Sequence, residues 1–402
     1  MKLKFLGGKN MKKLFISALV GMSFFSTAAL AEVKVGIILG FTGPIETLTP
    51  AMRDSAKLAF AEASNSGALL GGETITPLIG DSTCVDSDAA VAAAELIVND
   101  GAVAIMGADC SGVTGAITTN VAVPNGIPMI SPSATSPGLT TIADDGLFFR
   151  TAPSDAKGGQ ILAQVALDRG LASVAITYTN NDYGKGLADV FEKSFTSGGG
   201  TVTAVASHED GKADYSSEVG VLGSAGGDAL VVIGYLDQGG KGMIEAALDS
   251  GSFDLFVMSD GMIGQSIVDA IGSDLNGSFG TLPGTVSDGA KKFASIAGDI
   301  DPSAPYAGES YDAAALIALA MQAGGSADKL SIVSNIKKVA NAPGTKIFPG
   351  ELAKGLEVLA NGGDVDYQGA TDVELSTFGD AAGSFKEMEV TGGKFDLVKV
   401  RQ

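Results

Sequence analysis

Short apolar runs rich in β-branched residues alternate with helical patterns along most of this chain, and the alternation starts afresh once. Val33-Lys34-Val35-Gly36-Ile37-Ile38-Leu39 reads as a buried strand. After a Gly43-Pro44 loop, Met52, Ala56, Ala59, Phe60 and Ala63 fall at helical spacing from about Pro50. Ile75 to Ile79, Ala102 to Met106 and Met129-Ile130 are the next strand candidates, with a helix pattern over Ser87 to Asn99. Parallel strands need helical crossovers, so such a string predicts a doubly wound parallel α/β sheet. Beyond Phe149 to Pro153 the plan repeats. Helix Lys157 to Arg169 leads to strand Ser173 to Thr177, and helix Lys185 to Thr196 to strand Val202 to Ser207. Strand Ala229 to Ile233, helix Gly240 to Ser250 and strand Leu255 to Met258 complete a second α/β unit. Two helices, Tyr311 to Gln322 and Asp328 to Ala340, and a hairpin pattern over Phe385 to Val400 follow. Two such lobes leave a cleft, and ligands of open α/β sheets sit beyond the carboxyl ends of the strands.

Composition narrows the chemistry. With 45% hydrophobic residues in 402, the chain has material for a sizeable core. Its 56 glycines show no Gly-X-Y period and are read as turns. A net charge of -20 with no basic cluster argues against nucleic-acid binding. One histidine and two cysteines leave little for a metal cage or a Ser-His-Asp triad. The G-x-S-x-G, G-x-x-x-x-G-K-[ST] and G-x-G-x-x-G patterns are missing. No enzyme activity, cofactor or metal is therefore expected. His208, in Ser207-His208-Glu209-Asp210, reads as a solvated loop residue.

Met11 to Ala31, MKKLFISALVGMSFFSTAALA, has a basic start, an apolar stretch from Leu14 to Phe25 and a small-x-small end at Ala29-Leu30-Ala31. That is the pattern of a cleaved export signal. Met1 and Met11 are both candidate starts, since Met1 to Asn10 adds further lysines before a second start-like Met11. Without residues 1–31 the chain keeps 21 bases against 46 acids. Export puts Cys84 and Cys110 where disulfides persist. They follow successive strands of one β-loop-α-β unit, so a bridge is expected, two free thiols being the alternative.

Several strand-end loops are rich in Gly, Ser, Thr and Pro: Met106-Gly107-Ala108-Asp109-Cys110-Ser111-Gly112, and Ile130-Ser131-Pro132-Ser133-Ala134-Thr135-Ser136-Pro137-Gly138. Here, and at Asn181-Asp182-Tyr183-Gly184-Lys185-Gly186, Ser310-Tyr311-Asp312-Ala313-Ala314 and Asp366-Tyr367-Gln368-Gly369-Ala370, the chain resembles the periplasmic branched-chain amino acid-binding proteins, type I solute receptors of ABC importers. The resemblance implies a monomeric periplasmic receptor with two lobes on a three-strand hinge. The lobes close on an amino acid and present it to a membrane permease. Residues 1–31 would be the signal, 32–151 with 282–366 one lobe, and 152–281 with 367–402 the other.

Carried over by motif, the hydroxyls of Ser111 and Thr135 and main-chain groups of Ser133 and Ala134 would hold the ligand's carboxylate and ammonium. A helix starting just after Ser111 would favour the carboxylate. Ser111 and Thr135 would equally serve as plain caps. Tyr183 and Tyr235 would close from the second lobe, with ordinary packing as their alternative role. Asp260 stands where the family usually has a glutamate for the α-ammonium, and an exposed loop position is its alternative. At the side-chain end, Leu48 matches one aromatic position of the family and the other falls near Gly308, with Tyr306 and Glu309 close in sequence. The expectation is a loss of ring surface there. Short amides, urea-like solutes and aromatic acids are the alternative ligands.

Overall fold

In the computed structural model, which describes Glu32–Gln402, the strands gather into two large sheets and a small two-stranded one. The export signal expected over Met11 to Ala31, and the choice of start, lie outside the described residues. The first sheet is built from β1 (Glu32–Leu39), β2 (Thr74–Asp81), β3 (Ile105–Gly107), β4 (Met129–Ser131) and β5 (Phe148–Pro153). The second uses β6 (Ser173–Thr179), β7 (Thr201–His208), β8 (Ala229–Ile233), β9 (Phe256–Met258) and β10 (Phe279–Pro283). The order is β5-β4-β3-β1-β2 in one and β10-β9-β8-β6-β7 in the other, all parallel. Each sheet thus reverses direction once, between β1 and β3 and between β6 and β8. Such a switch point splays two strand-end loops apart and opens a crevice.

Helices form where the apolar spacing said they would. Helix Thr49–Asn65 buries Met52, Ala56, Ala59, Phe60 and Ala63, with Pro50 in its first turn. Helix Ser87–Asn99 is capped by Asp86, whose carboxylate accepts from the N–H groups of Asp88 and Ala89 at 3.0 Å each. Helix Ala307–Gly324 is buried around nearly its whole circumference, as its Ala/Leu-rich sequence requires. Within it, Asp312 accepts from Tyr367 Oη at 2.8 Å and from the main-chain N–H groups of Ala370 and Thr371 at 2.8 and 2.9 Å. Gly369, at φ +60°, would set any Cβ within 2.5 Å of that carboxylate, so glycine is required there. The YDAA and DYQGA pieces therefore meet on one side chain.

The small parallel sheet pairs β11 (Thr345–Ile347) with β12 (Val365–Tyr367). Two segments then sort differently from expectation. β13 (Asp380–Ala381) pairs with β5 in the first sheet, whereas β14 (Phe385–Thr391) joins β10 of the second, antiparallel, and hairpins into β15 (Lys394–Arg401). The last passage between lobes lies between Ala381 and Phe385, not near Asp366, and residues 367–381 stay with the first lobe. Asp312 and the β13–β5 pairing hold them there. The other passages follow Pro153 and Pro283.

His208 is a second correction. It ends β7 with only 1% of its surface exposed, its Nδ1 2.7 Å from Thr177 Oγ1 and its ring edge-on to Tyr215. Polar neighbours in sequence suggested a loop, but β7 carries on to it and the chain folds back over the ring.

Candidate functional site

The loops at the two switch points face each other across a narrow void. The first lobe contributes Ile45 and Leu48 after β1, Asp109 to Ser111 after β3, and Ser133 after β4. The second contributes Tyr183 after β6, Tyr235 after β8, and Asp260 and Gly261 after β9. Tyr306, just ahead of the long buried helix, completes the wall. No Lys or Arg is among these residues.

On the first lobe, Gly107 brings β3 against β1: at φ +131°, any Cβ would sit 2.1 Å from the Ile38 carbonyl oxygen. The chain can then deliver Asp109 beneath the void. Its carboxylate accepts from Gly40 N at 2.5 Å, Ser82 Oγ at 2.9 Å and Cys110 N at 2.9 Å. Cys110 is disulfide-bonded to Cys84, which ties this loop to the one after β2. The helix from Ser111 to Ile117 begins here, so its first-turn N–H groups lie beside the void. Ser111 Oγ accepts from Ser136 N at 3.0 Å, which leaves its own proton free to be donated.

Arg150, wholly buried in β5, fixes the neighbouring loop from below. It donates to the carbonyls of Ala134 and Ser136 at 3.0 and 2.9 Å and pairs with Asp380 at 2.7 Å. Ala134 is consequently engaged within the protein on both sides, its N–H going to Ser131 Oγ at 2.9 Å, and it does not line the void. Thr135 is buried beside it, and its hydroxyl has no partner. Its carbonyl accepts from Asp155 N at 2.8 Å, and Asp155 Oδ2 is also buried without a partner. Burial, and after it the charge of Asp260, pushes the Asp155 carboxyl well above the usual range.

The second lobe presents rings and one acid. Asn181 caps helix Asp182–Ser197 through Gly184 N at 3.0 Å, which places Tyr183 in the first turn, facing the void. Tyr183 stacks on Tyr235 at 5.3 Å between ring centres, an arrangement worth about 0.5–1.5 kcal/mol beyond the buried area. Its hydroxyl donates to Asp260 Oδ1 at 2.5 Å, and Tyr306 Oη donates to Asp260 Oδ2. Asp260 is therefore buried rather than exposed, and burial raises its carboxyl while the tyrosine bonds oppose the rise.

Of the expected residues, Leu48, Ser111, Ser133, Tyr183, Tyr235 and Asp260 meet at the void, Thr135 lies just behind it, and Ala134 is withdrawn. The lost ring surface expected near Gly308 is a correction: Tyr306 supplies a ring at that wall. It does so from φ +60°, a strained conformation for a residue with a Cβ. Sequence reasoning also missed Ile45, Asp109 and Asp155. An Asp two residues after Pro153 looks like an ordinary helix-start acid, so only its buried, unpartnered oxygen distinguishes it.

Comparison with known proteins agrees with this architecture. The family model described as "Periplasmic binding protein" matches residues 32–354. A Leu/Ile/Val-binding protein homolog of Brucella melitensis is 31% identical over 330 residues, 80% of this chain and 86% of its own. A leucine-, isoleucine-, valine-, threonine- and alanine-binding protein of Pseudomonas aeruginosa is 28% identical over 338 residues, 82% and 89% of the two chains. Among solved structures, a leucine-binding protein of Thermotoga maritima superposes with a TM-score of 0.78 at 23% identity. The match covers 92% of this chain and 99% of that one.

Proposed function

The chain belongs to the periplasmic binding protein family, and from that premise we infer that it is the extracytoplasmic receptor of an ABC importer, closing on a small amino acid and delivering it to the membrane permease. One observation carries the choice of ligand. Asp260 is buried at the void, Asp155 is buried close enough to feel its charge, and no basic side chain lines the void. Buried carboxylates need a cation, and an α-ammonium supplies one. The undonated proton of Ser111 and the unpartnered hydroxyl of Thr135, with the helix start at Ser111, suit the α-carboxylate on the facing side. Ile45, Leu48 and the three tyrosine rings suit a small apolar side chain.

Aromatic acids and urea-like solutes lack the cation, so they would leave both carboxylates uncompensated. Short amides offer N–H donors but no charge. The reading assigns no catalytic residue. It takes the receptor to act as a monomer in the periplasm, and among the described residues no helix is long and apolar enough to cross a membrane. The test is calorimetry on residues 32–402, unfolded and refolded to strip bound solute, against the twenty amino acids, short amides, urea and aromatic acids. Saturable 1:1 binding of an amino acid, lost when its α-amino group is acetylated, is the expected result. Binding confined to amides or acids would overturn the ammonium role of Asp260 and Asp155.

A further inference from the structure

Ile45 and Leu48 turn into the void, but Thr47 between them reaches across to the other lobe. Its N–H donates to Asp237 Oδ2 at 3.0 Å and its hydroxyl to the same oxygen at 2.8 Å. Ser266 Oγ donates to Asp237 Oδ1 at 3.0 Å and lies 3.1 Å from Thr47 Oγ1. The N–H of Asp237 in turn donates to the Pro44 carbonyl at 3.0 Å. Pro44 and Thr47 follow β1 of the first sheet. Asp237 follows β8 and Ser266 lies in helix Gln265–Ile271, both in the second. None of these four lines the void.

Another polar contact between strand-end loops of the two lobes, Ser136 Oγ to the Asp182 carbonyl at 3.0 Å, is a single neutral bond. A carboxylate gathering three donors makes the stronger, charge-assisted set. Separating the lobes must break every bond from Thr47 and Pro44 while leaving the ligand's own contacts out of account. Asp237 also follows Tyr235 by two residues, so the grip holds in place the loop that carries a pocket ring.

We propose that Asp237, gripped by Thr47 across the mouth of the cleft and backed by Ser266, is a clasp that sets the lifetime of the closed form without touching the ligand. The proposal rests on the reading of the protein as a receptor that closes on its solute. A ligand enters the open form, before the clasp exists, and leaves only after it breaks. Loss of the clasp should therefore raise the dissociation rate and spare the association rate.

The test compares wild type with Asp237→Ala, Thr47→Val and the double variant. Stopped-flow kinetics with L-leucine, or with the tightest amino acid of the calorimetric panel, would be joined by small-angle scattering of the ligand-free proteins. Expected are a 10- to 100-fold faster dissociation in each single variant, association within about twofold of wild type, and a double variant no worse than either single one. Ligand-free Asp237→Ala should scatter as a more open particle. Asp237→Asn, which keeps an acceptor for Thr47, should recover much of the wild-type dissociation rate, and an unchanged unfolding midpoint in all variants would show that they fold. Unchanged dissociation, strictly additive variants, or a loss confined to association would each overturn the clasp and leave the receptor reading standing. If wild type binds no amino acid at all, that reading falls. The scattering profiles then decide the clasp alone: superimposable profiles sink it, and a more open Asp237→Ala keeps it.

Discussion

Asp260 concentrates the chemistry of the cleft at the scale of one residue. It takes a tyrosine hydroxyl from each lobe, Tyr183 from the second and Tyr306 from the first, and burial works against its charge throughout. A cationic ligand group relieves that cost, so Asp260→Ala should weaken amino-acid binding a hundredfold or more, about 3 kcal/mol. Isothermal titration of the variant checks this, and unchanged affinity would remove Asp260 from the site. Its place at the cleft was legible in the sequence because a strand-end Asp in Ser259-Asp260-Gly261 matched a family position. Tyr306 was not. Its ring enters the wall through a left-handed backbone turn, and no periodicity announces such a turn at a residue other than glycine or asparagine.

Among the elements, those with strong local signatures came through nearly to the residue. Helix Ser87–Asn99 has its Asp cap and a clean apolar side, and β8 is an unbroken run of buried aliphatics. Helix Ser216–Ala225, with two glycines among its ten residues and only Val219 and Leu222 buried, has little to announce it. β13 is two residues long, too short for alternation to register, which is why the last passage between lobes was placed too early. The disulfide was readable because export and the βαβ spacing both pointed to it. Cys84 and Cys110 are 26 residues apart and tie together the loops after β2 and β3. Closing a loop of that size contributes about 3 kcal/mol in the chain-entropy model. A Cys84→Ser/Cys110→Ser double variant should lose stability of that order in chemical denaturation and become indifferent to reductant, whereas equal midpoints would show the bridge to be dispensable.

Stability against pH belongs to the whole molecule, because it sums groups buried in both lobes. Burial lowers His208 to about 4, so between its ordinary value near 6.5 and that point the unfolded chain holds a proton that the folded one does not. Its effect is to destabilise the fold as pH falls through 6.5, by about 2 kcal/mol at pH 5. Glu309 and Asp312 run the other way: burial raises them to about 7 and about 6, so the stability they contribute is lost as pH rises through those values. A His208→Asn variant separates the two trends. Between pH 7.5 and 5 the wild-type unfolding midpoint should fall further than that of the variant, and parallel curves would refute the buried-base assignment.

The lobes are joined by three chain passages, after β5, after β10 and between β13 and β14. A single tether would let one lobe swivel freely against the other, but three side by side act like the knuckles of a door. They leave one easy degree of freedom, the angle of swing. A protein docking across both lobes can then read only that angle, so every solute able to shut the door looks the same from outside. Discrimination must be finished inside the pocket before the swing completes.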